Sequence, residues 1–153
     1  MKILLVDDNA RHRRAGIKDL EALGHKVIAI SDYWSALDYA RNPGNERFDA
    51  AILDLLMPAE PTTLSPQAIT EYLGREIAVG FPLILKLSQY GIRRIAVATD
   101  TNHHQHPMSA IVDWFQDGQP ITANGAKVLI MHAPPRSDGT KAWDEILNRL
   151  FKD

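Results

Sequence analysis

Three carboxylates define the chemistry this chain could do. Asp7 and Asp8 follow the apolar run Ile3-Leu4-Leu5-Val6, and Asp54 follows Ala50-Ala51-Ile52-Leu53. Brought together, such acids repel and raise one another's proton affinity unless a cation lies among them. A hard divalent ion resolves the conflict, and Mg²⁺ suits one or two carboxylates completed by water. Beside such an ion Asp54 is a candidate nucleophile towards a phosphoryl group. Thr99, after a further apolar run, could offer its hydroxyl to a phosphoryl oxygen. The bland reading is that Asp7 and Asp8 only end a strand and cap a helix. Asp54, at a matching run end and followed by Leu55-Leu56-Met57-Pro58, argues for a shared site instead.

Histidines form the second cluster. His103, His104 and His106 stand beside Asp100 in one polar loop. They could hold a transition metal such as Zn²⁺, although the spacing matches no standard zinc motif. Equally, they could bond backbone groups in the turn, with His106 helping to cap the helix that follows. His12 and His25 are expected in solvent. The basic run Asn9 to Arg14 reads as a solvated helix start or as a docking surface. Ser109 and Ser137 have no paired base at recognisable spacing, and neither GxGxxG after the first strand nor GxxxxGK[ST] is present.

The elements that must position these groups alternate short β-branched runs with longer amphipathic stretches. Strands are predicted over 3–6, 27–30, 50–53, 94–99 and 127–131. Helices are predicted over 10–23, 34–40, 67–73, 81–90, 107–116 and 140–151. Gly24 stands at the C′ position of the first helix, and Ser31 or Asp32 caps the second. Three prolines, Pro58, Pro61 and Pro66, make the stretch of about 55–66 a long loop. Trp34, Trp114 and Trp143 fall on predicted helices and are expected in the core or a subunit interface. Five strands separated by helices imply right-handed crossovers and a parallel sheet covered on both faces. Ligands of such sheets bind beyond the carboxyl ends of the strands, where Asp7, Asp8, Asp54, Thr99, Asp100 and His132 stand.

Composition narrows the class. The 153 residues are 45% hydrophobic and 24% charged, which suits a single globular domain over 1–153. Lys and Arg total 17 against 19 Asp and Glu, a net charge of −2, so no basic excess favours direct contact with nucleic acid. Cysteine is absent, which removes disulfides, thiolate catalysis and Cys-ligated zinc. The N-terminal apolar run is too short for a signal peptide or a membrane span, so a cytoplasmic protein is expected.

Ile3-Leu4-Leu5-Val6-Asp7-Asp8-Asn9 and Leu53-Asp54-Leu55-Leu56-Met57-Pro58 together resemble the signature of response-regulator receiver domains. The resemblance covers nearly the whole chain, since strand and helix order agree. It implies an α/β, flavodoxin-like three-layer sandwich with a five-stranded parallel sheet in the order 2-1-3-4-5. It also implies that a histidine kinase or phosphotransfer protein phosphorylates Asp54 and that a downstream effector protein reads the result. Asp8 would then ligate Mg²⁺ directly, Asp7 would assist largely through water, and the Leu56 backbone carbonyl would complete the protein's ligands. Thr99 would follow the phosphoryl group. The role is signalling rather than enzymatic turnover, and pairing as a homodimer is open.

Two departures stand out. Receivers normally carry a Lys at the end of strand five, followed by Pro, whereas this chain reads Met131-His132-Ala133-Pro134-Pro135. His132 is the candidate for a substitute partial charge, and Arg136 lies beyond the prolines. The aromatic residue that switches rotamer on that strand is also missing from Leu129-Ile130-Met131. Two alternatives therefore stand beside the phosphorylated receiver. One is a pseudo-receiver that binds partners independently of phosphorylation. The other is a metal-dependent hydrolase using the acids and the His103–His106 loop.

Overall fold

A computed structural model describes residues 1–101, 106–115 and 118–152. The first strand, β1 (Lys2–Val6), is apolar on both faces because it runs through the middle of a covered sheet. Asn9 ends the turn after it and caps α1 (Ala10–Ala22), its side chain accepting from the Arg11 N–H. Gly24, at φ 78°, takes the left-handed conformation that releases the chain into β2 (Lys26–Ile30). Asp32 settles the cap of α2 (Tyr33–Arg41) by accepting from the Ser35 N–H at 2.8 Å. Then follow β3 (Ala50–Leu53), β4 (Met57–Pro58), α3 (Pro66–Tyr72), β5 (Glu76–Ile77), α4 (Gly80–Gln89) and β6 (Arg94–Thr99). A 3₁₀ run over Pro107–Phe115, β7 (Ile121–Ala123), β8 (Ala126–His132) and α5 (Trp143–Phe151) complete the chain.

The main sheet has the order β2-β1-β3-β6-β8-β7. Its first five strands are parallel and correspond to the predicted 2-1-3-4-5 arrangement. The sixth, β7, was not anticipated. It pairs antiparallel with β8 through the turn Asn124-Gly125, where both residues have positive φ, 49° and 74°. That is the backbone a two-residue hairpin demands and Asn-Gly supplies.

Side-chain alternation divides the core. Leu4, Val6, Leu53, Val97 and Ile130 face α2 and α4, whose Leu37, Leu83 and Leu87 cover them. Ile3, Leu5, Ile52, Ala96 and Met131 face α1 and α5, against Leu20, Trp143, Ile146 and Leu150. Trp143 is buried as expected, whereas Trp34 and Trp114 are exposed.

Three expectations are corrected. The stretch predicted as a loop over about 55–66 contains β4 and a 3₁₀ turn over Pro61–Thr63, because β4 pairs antiparallel with β5. The predicted helix over 107–116 is a 3₁₀ run in its described residues. The last helix starts at Trp143 rather than at residue 140, because the preceding segment folds back on itself. Pro135 bridges Lys141 antiparallel, Arg136 N–H donates to the Thr140 carbonyl at 2.8 Å, and Gly139 N–H donates to the Arg136 carbonyl at 2.9 Å. Gly139, at φ 77°, closes the turn.

Candidate phosphoryl and metal site

The acids meet because the strands that end in them are neighbours. β1 lies beside β3 with Val6 opposite Leu53, so Asp7 and Asp54 leave the sheet side by side. Asp54 N–H donates to the Val6 carbonyl at 2.7 Å, and Asp7 N–H to the Ile30 carbonyl at 3.0 Å. Arg13 holds the turn between β1 and α1 from below, its Nη1 donating to the Asp7 and Asp8 carbonyls at 2.7 and 2.6 Å. On the other side Gly80 lets α4 approach, since a Cβ there would stand 2.8 Å from the Asp54 carbonyl oxygen. One carboxylate oxygen from each of Asp7, Asp8 and Asp54 lies within 4.8 Å of the others. The spatial expectation for the three acids is met.

A cation already sits among them. The Lys141 side chain is fully buried, and its Nζ lies 2.8 Å from Asp7 Oδ2, 3.0 Å from Asp54 Oδ1 and 3.3 Å from Asp100 Oδ1. Burial opposes its charge, but Asp54, Asp7 and Asp100 outweigh burial and hold its pKa above the usual lysine value. The acids respond in different directions. Burial pushes the Asp54 carboxyl up to about 7 against the pull of Lys141, and Asp7 adds to the rise. Burial, with Asp7 beside it, raises Asp8. Burial also works against Asp100, but Lys141 and His12 prevail and its pKa falls.

The donor set fits a hard divalent cation. Asp7 is fully engaged, with Oδ1 accepting from the Asn9 N–H at 2.9 Å and Oδ2 from Lys141. Asp54 Oδ1 accepts from the Leu55 N–H at 2.7 Å. Among the described residues the Asp8 carboxylate, Asp54 Oδ2 and the Leu56 carbonyl accept no hydrogen bond. Two carboxylates and a carbonyl, completed by water, are what Mg²⁺ takes.

No protein-family model matches the sequence, and no curated protein is similar to it. Solved structures are. A response regulator of Burkholderia pseudomallei, with a phosphorylated aspartic acid, a calcium ion and citrate, superposes with a TM-score of 0.56 at 21% identity. That alignment takes in 97% of this chain and 65% of that one, so this chain spans slightly less than two thirds of its length. The chemotaxis protein CheY4 of Vibrio cholerae matches at TM-score 0.56 and 20% identity, over 98% of both chains. The receiver domain of the hybrid histidine kinase CckA matches at 0.55 and 18%, over 98% of this chain and 99% of that one. This chain has the receiver fold.

Against that fold, the site residues read from sequence divide. Thr99 ends β6 fully buried, its Oγ1 accepting from the Thr101 N–H at 3.2 Å. His132 does not supply the missing charge: its Nε2 lies 2.8 Å from Asp113 Oδ1, on the face carrying the 3₁₀ run. The receiver's strand-end lysine is absent from β8, yet an ammonium reaches the acids from Lys141, nine residues beyond His132. Sequence reading missed this residue by placing it inside a helix. Asp138-Gly139, a turn dipeptide after two prolines, was the available signal that the segment doubles back.

The histidine loop contributes less than its composition suggested. His103 and His104 lie outside the described residues. His106 accepts from the Met108 N–H at 3.1 Å and lies 3.2 Å from the Glu76 carbonyl, which is the capping alternative. His12, expected in solvent, is 4% exposed. At the basic start of α1, Arg13 donates to the acidic turn and Arg11 to the Asp138 carbonyl, while Arg11 and Arg14 stay exposed. No described helix is long and apolar enough to cross a membrane.

Proposed function

We propose that this chain is a response-regulator receiver of two-component or phosphorelay signalling, in which Asp54 accepts a phosphoryl group. The observation that carries the reading is the Lys141 ammonium held between Asp7 and Asp54 at 2.8 and 3.0 Å. A carboxylate acceptor beside metal-ligating acids and a fixed cation is the equipment phosphoryl transfer needs. Catalysis of that reaction is mostly positioning and charge stabilisation.

Asp8, Asp54 and the Leu56 carbonyl would hold Mg²⁺, with Asp7 acting through water. The ion, when bound, neutralises charge on the phosphoryl oxygens. The chain's own residues do the rest. The Asp54 carboxylate supplies the attacking oxygen, and its other oxygen remains for the ion. Its bond to phosphorus forms as the phosphorus–nitrogen bond of a donor phosphohistidine breaks, and the imidazole leaves with the electron pair. Lys141 moves its ammonium from Asp54 Oδ1 to a phosphoryl oxygen, and Thr99 donates its hydroxyl to another. Water later cleaves the acyl phosphate to restore Asp54. The donor is a histidine kinase or phosphotransfer protein in the cytoplasm, and an effector protein reads the phosphorylated surface.

Incubation with acetyl phosphate and Mg²⁺, followed by intact mass, tests this. Wild type is expected to gain one phosphoryl group and Asp54→Asn none. A gain that persists in Asp54→Asn, or no gain in wild type, removes the reading. The absent aromatic on β8, where Ile130 and Met131 are both buried, favours a second reading. In it the fold is a phosphorylation-independent binding module whose partner affinity is unmoved by Asp54→Asn.

A further inference from the structure

His12 is the buried titratable group that the chemistry above leaves without a task. Both its ring nitrogens are committed. Nδ1 accepts from the Lys141 backbone N–H at 3.4 Å, which leaves the proton on Nε2, 3.1 Å from Asp100 Oδ2. Its own carbonyl accepts from the Trp143 indole N–H at 2.9 Å. One residue therefore touches the backbone that carries the ammonium, the carboxylate that faces the ammonium, and the first residue of α5.

A lysine on a strand is placed by the sheet's hydrogen-bond ladder. Lys141 has no such ladder. It stands on the returning arm of the 134–142 hairpin, which leans on α1 rather than on the sheet. The tip of that hairpin is held by Arg11 on the Asp138 carbonyl. Its outgoing arm is held by Arg136, with Nη2 at 2.9 Å from Asp19 and 2.7 Å from Asp144. The returning arm, which bears the functional group, is met by His12.

We propose that His12 is a positioning residue for phosphoryl transfer to Asp54, fixing Lys141 from the backbone side and Asp100 from the carboxylate side. The inference rests on the reading of Asp54 as phosphoacceptor and deepens it. A histidine that merely filled space would be replaced by leucine with little effect on the ammonium. A positioning histidine would not.

The rate of phosphoryl uptake from acetyl phosphate with Mg²⁺ is compared in wild type, His12→Leu, Lys141→Met and the double variant. His12→Leu is expected to slow uptake about tenfold or more, the scale of a small misplacement of a reacting group. The double variant is expected to be no slower than Lys141→Met, because nothing remains to be positioned. A His12→Leu rate within about twofold of wild type, or full multiplication of the two single effects, overturns the inference. A second measurement is independent of Asp54. Amine labelling of the folded, metal-free protein, read by peptide mass, is expected to spare Lys141 in wild type and to modify it in His12→Leu. Equal protection of Lys141 in both proteins overturns the inference, even where phosphoryl uptake is intact. If wild type takes up no phosphoryl group, the reading of Asp54 fails by itself and the labelling result still decides the role of His12.

Discussion

Burial keeps a proton on Asp54, whereas the surrounding carboxylates keep the charge on Lys141 against its burial. An aspartate in an unfolded chain titrates near about 3.9, whereas Asp54 in the folded protein is pushed up to about 7 by burial. Between those values the folded protein keeps a proton that the unfolded chain has released. The folded-state pKa is the higher one, so this contribution to stability is complete below the unfolded value. It is lost as pH rises through the window, and the curve is flat above it. Metal-free wild type is therefore expected to lose on the order of 1–4 kcal/mol from this group across the window. Asp54→Asn lacks that slope. Urea unfolding in EDTA at about pH 5 and about pH 8 checks it, and parallel slopes in the two proteins would contradict the assignment. His12, expected in solvent, is buried as well. Nothing in Arg11-His12-Arg13 distinguishes a buried imidazole from a solvated one, since burial comes from the hairpin that lies over α1.

The acids owe their position to elements that meet at close range. Gly80 opens α4 against the Asp54–Leu55 backbone, where a methyl group would lie 2.8 Å from the Asp54 oxygen and 3.0 Å from the Leu55 Cα. Those are main-chain atoms and cannot turn aside, so Gly80→Ala is expected to cost about 1–3 kcal/mol by overpacking. It should also slow phosphoryl uptake, because the residue displaced is the proposed acceptor. Chemical denaturation with the uptake assay checks both, and an unchanged variant would mean that α4 shifts freely. Hairpins were the elements least legible in sequence. Asn124-Gly125 creates β7 and Asp138-Gly139 returns the chain to Lys141, yet β7 and both arms of the second hairpin are only a few residues long and too short to show a strand period.

At the scale of the molecule, a cluster of carboxylates is held by a core that has committed both sheet faces to helices. A divalent cation that binds only the folded form must then stabilise the whole protein. Mg²⁺ at a hundredfold excess over its Kd is expected to add about 2.7 kcal/mol and raise Tm by roughly 5–10 °C. Asp8→Asn should remove most of that gain, since its carboxylate is the one without a hydrogen bond among the described residues. Calorimetry with and without Mg²⁺ reads the effect directly. A wild-type Tm indifferent to Mg²⁺, or an equal rise in Asp8→Asn, would count against the metal site.

The parallel sheet and the meeting of Asp7, Asp8 and Asp54 were legible from the chain alone. Apolar runs that stop at acids mark strand ends, and parallel strands place those ends on one rim. Such information is local and repeats along the sequence. The ammonium was not legible, because Lys141 is 87 positions from Asp54 and joins it only after a turn, a bridge and a docked helix have each formed. Periodicity records which face of an element is apolar. It carries no signal for one long side chain that crosses from an irregular segment into a buried cluster of opposite charge, and only the tertiary structure decides that pairing.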